Sequence, residues 1–202
     1  MKKAIIFLFA TMVLTSTFFG QPFYTKNMKV IFNALEDQKA MEVRLTNISA
    51  KCKVRLVDNF ANDLFEEVYN SKMGYAKKLN LKNLPSGKYK VMIESEEWIC
   101  EQPIEIVKNE IIVLEEMQNW YVIPAMEITN ESIKVLTAGE NTVNANHFAL
   151  FNQSGDEIFA YKLTNRNPKI NISFDISNLD KGKYEVALYT DAKTIIKTIN
   201  RQ

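Results

Sequence analysis

A chain of 202 residues, 47% hydrophobic and 24% charged with few Gly and Pro, has the composition of one or two globular domains. Disordered, collagenous and coiled-coil chains are excluded. Lys and Arg number 25 against 24 Asp and Glu, a formal net charge of +1, so no basic excess exists to neutralise phosphates and no nucleic-acid partner is expected.

The chain opens on a targeting pattern. Lys2 and Lys3 precede residues 4–19, which are apolar or hydroxylic and uncharged. That stretch is shorter than the ~20 residues of a membrane span, and Thr11, Thr15, Ser16 and Thr17 make it more polar. A signal peptide over residues 1–20 is expected, cut after Gly20 or after Thr17. The product would be periplasmic, outer-surface or secreted, with no transmembrane span left after cleavage.

Beyond residue 28 apolar and polar residues alternate with period two, which puts one face of a strand in the core and the other in water. Val43 and Leu45, then Val54 and Leu56, flank Arg44 and Arg55. Tyr89, Val91 and Ile93 alternate with Lys88, Lys90, Met92 and Glu94. Residues 111–114 read as the last strand of a first unit, and residues 117–124 as an apolar, aromatic connector. Tyr184, Val186 and Leu188 alternate in the same way further on. Turn residues punctuate these runs at 58–59, 84–87, 139–141, 153–156 and 180–182.

The sequence repeats itself. Residues 81–91 match 176–186, about 95 residues on, with identities at Asn83/Asn178, Leu84/Leu179, Gly87/Gly182, Lys88/Lys183, Tyr89/Tyr184 and Val91/Val186. Residues 53–58 match 148–153, or one residue earlier at the strand end. A period of that length means tandem domains and not a solenoid. The expected fold is all-β: two tandem immunoglobulin-like β-sandwich domains, residues 21–124 and 125–202, after the signal peptide.

The pattern Asn178-Leu-x-x-Gly-x-Tyr-x-Val186, followed by Lys193-Thr-Ile-Ile-Lys197, resembles the C-terminal sorting domains of type IX (Por) secretion substrates. More widely the chain is similar to bacterial secreted proteins built of Ig-like sandwich repeats. The first resemblance implies that the second domain directs export and is then removed.

Few residues invite chemistry. One His and two Cys leave little material for His-rich metal sites or Ser-His and Cys-His catalysis, and no Gly-x-Ser-x-Gly occurs. No catalytic residue, metal ligand or cofactor is expected. Cys52 and Cys100 are an even pair in a chain read as exported, so they are either a disulfide or two buried thiols. His147 reads as a surface or edge-strand residue. The adjacent pairs Glu66-Glu67, Glu96-Glu97 and Glu115-Glu116 point to opposite faces of a strand and cannot converge as a glycosidase pair does. Asp58, Asn62, Asp63, Asp156 and Glu157 lie in equivalent loops, where Asx turns or Ca²⁺ would explain the oxygens. Trp98, Trp120 and Tyr121 are the candidate interaction surface, and a glycan partner would stack there. Gly87, Tyr89 and Val91, with Gly182, Tyr184 and Val186, are the structural core of the repeat, the tyrosines like a tyrosine corner. The leading reading is a non-catalytic exported structural or interaction module with an unknown protein or glycan partner. The alternatives are a sorting domain and a carbohydrate-binding module using Trp98 or Trp120.

Overall fold

The structure is a computed structural model that describes residues 10–12, 28–36, 39–48, 51–70, 74–137, 141–163 and 171–201. Its strands are β1 (Ala10–Met12), β2 (Lys29–Leu35), β3 (Ala40–Thr46), β4 (Cys52–Asp58), β5 (Asp63–Tyr69), β6 (Tyr75–Asn80), β7 (Gly87–Glu94), β8 (Trp98–Val107), β9 (Glu110–Val113) and β10 (Asn119–Val122). There follow β11 (Ala125–Ile128), β12 (Ser132–Leu136), β13 (Ala145–Phe151), β14 (Glu157–Lys162), β15 (Asn171–Asp175), β16 (Gly182–Thr190) and β17 (Thr194–Arg201). No helix among the described residues is long and apolar enough to cross a membrane.

The chain forms two compact units, Phe23–Tyr121 and Val122–Gln202 with Met1–Pro22. In the first unit one sheet has the order β2-β3-β6 and the other β10-β8-β7-β4-β5, with β9 also on β8. In the second unit the sheets are β1-β15-β12-β11 and β14-β13-β16-β17. Each unit therefore puts its first, second and fifth strands in one sheet and its third, fourth, sixth and seventh in the other. That is the Greek-key order of Ig-like sandwiches, and the fold is all-β.

Period-two burial builds both cores. β7 alternates between buried Tyr89, Val91 and Ile93 and more exposed neighbours, and β16 does the same with Tyr184, Val186 and Leu188. Facing sheets supply Val43 and Leu45 in the first unit, and Ile133, Val135 and Phe174 in the second. Phe148 and Phe174 stack with ring centroids 4.0 Å apart. Removing such a ring leaves a cavity as well as losing transfer energy, so this pair anchors its core.

The repeated motif turns the chain between sheets. Tyr89 Oη donates to Pro85 O at 2.9 Å, and Tyr184 Oη donates to Asp180 O at 2.9 Å. Each hydroxyl satisfies a carbonyl four residues upstream, the bond of a tyrosine corner. Each ring lies close over the glycine that opens its strand. A Cβ added there would come within 3.7 Å of Tyr89 at Gly87 and 3.8 Å of Tyr184 at Gly182.

One sequence expectation changes. Residues 117–124 are not simply a connector: Asn119–Val122 form β10, an edge strand on β8 in the first unit's sheet. The aromatic run that looked like a linker is β-forming sequence. The expected signal peptide lies outside the described residues except at Ala10–Met12, whose backbone pairs antiparallel with β15.

Candidate functional site

Ion pairs cover the outer face of β4 and β7 in the first unit. Arg55 on β4 holds Asp63 through Nε at 2.9 Å and Glu94 through Nη1 at 3.0 Å. Its Nη2 also reaches Met92 Sδ at 3.7 Å. Lys53 pairs with Glu66 and Lys90 with Glu101 on the same face. Charged pairs across neighbouring strands keep a sheet face wet and discourage association.

The corresponding face of the second unit is different. The row Arg55, Met92, Glu101 on β4, β7 and β8 becomes Ala149, Ala187, Ile196 on β13, β16 and β17. The row Lys53, Glu94, Ile99 becomes His147, Tyr189, Thr194. The outward-facing Ala149 and Ala187 are 0% and 2% exposed, because larger neighbours stand around them. The His147 and Tyr189 rings meet at 5.5 Å on one side, and Phe151 stands on the other. Ile196 projects beside this floor with 57% of its surface exposed. The result is a shallow groove of about 460 Å³, with Lys183, Glu185, Asn152 and Gln153 at its polar end. Tyr189 and Phe151 supply aromatic walls, and Ala187 supplies a small floor residue between them and Ile196.

The turn at the end of β16 is held rigidly. Asp191 accepts from Asn144 Nδ2 at 2.8 Å and from Asn146 Nδ2 at 2.6 Å. The hydrogen bond from Asn146, then that from Asn144, holds its carboxyl below the ordinary value. Thr190 Oγ1 accepts from Ala192 N and Lys193 N. Ser95 Oγ in the first unit accepts from Glu97 N and Trp98 N in the same way. The last strand is fixed to the opposite sheet: Lys197 Nζ donates to Met126 O at 2.6 Å, and Arg201 bonds Asn130 O and Ser177 O.

The residues singled out in the sequence lie elsewhere. Trp98 is only 5% exposed, and Trp120 packs on it with ring centroids 5.3 Å apart, both within the first unit's core cluster. Trp98 therefore offers no open ring face to a sugar. Tyr121 is half-buried on β10. Cys52 and Cys100 are both buried thiols. No disulfide joins them, because β7 lies between their strands, which puts them roughly 10 Å apart across the sheet, beyond disulfide reach. Burial pushes the Cys52 thiol up to about 11 and the Cys100 thiol up to about 12, so both stay protonated and unreactive at neutral pH.

The two acidic loops are Asx turns. Asp58 Oδ1 accepts from Phe60 N and Asn62 N, and Asn62 Nδ2 donates to Asp58 Oδ2. The second loop exchanges the residues: Asn152 Oδ1 accepts from Ser154 N and Asp156 N, and Asn152 Nδ2 donates to Asp156 Oδ2. Each loop spends its oxygens on itself. Among the described residues no cluster of His, Cys, Asp and Glu could hold a metal.

The groove residues Phe151, Ala187, Tyr189 and Ile196, and Ala149 beside them, escaped the sequence reading. One signal was present. Where the first repeat places Arg55, Met92 and Glu101, the second carries residues without charge.

Comparisons with known proteins add fold-level likenesses. No family model and no curated protein matches the chain. Among solved structures it is similar to a biofilm-associated protein BSP domain, at 11% identity and TM-score 0.27, covering 87% of this chain and 29% of that one. It is also similar to chicken CNTN1 FN1-FN3 domains, at 11% identity and TM-score 0.25, covering 86% of this chain and 63% of that one. Titin Ig tandem domains match at 8% identity and TM-score 0.24, covering 87% and 95%. The chain thus spans under a third of the first of these structures and 63% of the second.

Proposed function

We propose that the protein is an exported, non-catalytic interaction module whose contact surface is the outer face of β13, β16 and β17. The observation that carries this reading is the replacement of a charged row by Ala149, Ala187 and Ile196 on the same frame. Ile196 and Tyr189 stand exposed on this face, and exposed apolar patches mark contact sites. A protein partner is favoured over a glycan, because the groove's walls are Tyr189 and Phe151 beside Ala187 and Ile196 and Trp98 is buried.

The buried thiols give a clean test. Ile196→Cys adds one accessible thiol to a chain whose native two are silent toward maleimide. The purified variant is expected to label fully. The same variant in its native host is expected to be protected, because the partner covers the site. Equal labelling in both settings would remove the contact assignment. Intact mass of each host fraction tests the export part: a species starting near Gln21 and ending at Gln202 is expected. A species ending near residue 121 outside the cell would assign the second unit to sorting instead.

A further inference from the structure

The two units differ at a second place, the outer side of the fifth strand of each, β6 and β15. In the first unit β6 pairs with β3 on one side only. That edge carries Lys77 and Lys78, with Lys77 Nζ 3.0 Å from Glu67, and edge lysines deter strand addition. In the second unit the equivalent strand is β15, Asn-Ile-Ser-Phe-Asp, with no Lys or Arg. Here the edge is occupied. Ala10 pairs with Phe174, Thr11 with Ser173 and Met12 with Ile172, all antiparallel.

The register matches the sequence on both sides. Phe174 and Ile172 are buried, and the residues opposite them are Ala10 and Met12. Half-exposed Ser173 stands opposite Thr11. The backbone register thus sets apolar, hydroxyl and apolar residue types opposite the buried, half-exposed and buried positions of β15. An edge of this kind recognises main chain first and alternate side chains second.

We propose that β15 is a strand-accepting edge. In the full chain it is filled by residues 10–12. Once the leader is removed it takes an extended, uncharged segment of a partner protein, antiparallel, with small or apolar residues opposite Phe174 and Ile172. The second step rests on the export reading. The acceptor property does not, and is tested separately.

The experiment is hydrogen exchange at Asn171–Asp175 in the full chain. The amides that face away from β12 are expected to be protected. Thr11→Pro combined with Met12→Pro removes donors in both hydrogen-bonding registers. Protection of those amides is expected to be lost, while the amides bonded to β12 keep theirs. A synthetic peptide of residues 8–14, added in excess to this double variant, is expected to restore the protection, and the peptide with the two prolines is not. Unchanged exchange in the double variant, or no rescue by the peptide, would overturn the proposal. Protection that rises with concentration of the double variant alone would give the edge to a second copy and overturn the partner reading. None of these readouts depends on cleavage in the host, which intact mass reports on its own.

Discussion

The two sandwiches share an inner face and differ on the outer one. Leu56 stands opposite Val91 in the first unit, and Leu150 stands opposite Val186 in the second, so the central strands of the two cores share a register. One step outward, Arg55 against Met92 becomes Ala149 against Ala187. Core positions answer to packing, where a change of one methylene is felt. Outward positions answer to packing only where neighbours cover them, as at Ala149 and Ala187. What they carry differs between the faces: ion pairs on one, a groove with an apolar and a polar end on the other.

The comparison breaks most severely at a core position. Phe174 stacks on Phe148 and meets Phe159 and Tyr161 edge-on. Phe174→Ala is expected to cost the second unit about 3–5 kcal/mol. Chemical denaturation followed by residue-resolved hydrogen exchange would show amides of β12, β13 and β16 losing protection. The comparison between outer faces predicts a smaller effect. Ala149→Arg places a guanidinium where Arg55 stands in the first unit, but without an equivalent of Asp63 and Glu94. It also overfills a floor that is 0% exposed, so about 1–3 kcal/mol should be lost. Arg55→Ala should cost less, since its partners are partly solvated. If the two variants prove equally mild, the groove is not a packed surface. The tyrosine corners set the next size down. Tyr89→Phe and Tyr184→Phe each delete one 2.9 Å bond in the same geometry, and each is expected to cost about 1 kcal/mol in urea melts. Unequal losses would show that the motif is shared in sequence but not in energetics.

How much was legible follows from which residues had to be combined. Strands β4, β7 and β16 were visible because alternation is local, and the repeat was visible because residues 81–91 and 176–186 carry identical turn and corner residues. The sandwich class followed from those two facts. The connector at residues 117–124 was misread because β10 is an edge strand, whose alternation is blurred by half-buried Trp120 and Tyr121. The two thiols were undecided because Cys52 and Cys100 are both inward-facing, and only strand order puts β7 between them. The groove was invisible for a similar reason. Ala149, Ala187 and Ile196 come from three strands, and only their register makes one row.

The smallest difference between the units lies in the Asx loops, and it isolates backbone strain. Asp58 to Asn62 and Asn152 to Asp156 make the same hydrogen bonds with acid and amide exchanged. The fourth residue takes a positive φ in both, +62° at Ala61 and +83° at Gly155. An L-residue in this region carries about 1–2 kcal/mol of steric cost that glycine avoids. Glycine in turn loses about 0.4–1 kcal/mol more through the entropy of the unfolded chain. Ala61→Gly should therefore stabilise the first unit, by under about 1 kcal/mol. Gly155→Ala should destabilise the second by a similar amount, even though no atom lies within 4 Å of the added Cβ. Opposite signs in paired melts would establish that backbone conformation separates the two loops. A stabilising Gly155→Ala would place the unfolded-chain entropy above the strain, and the two loops would then differ in more than one residue's φ.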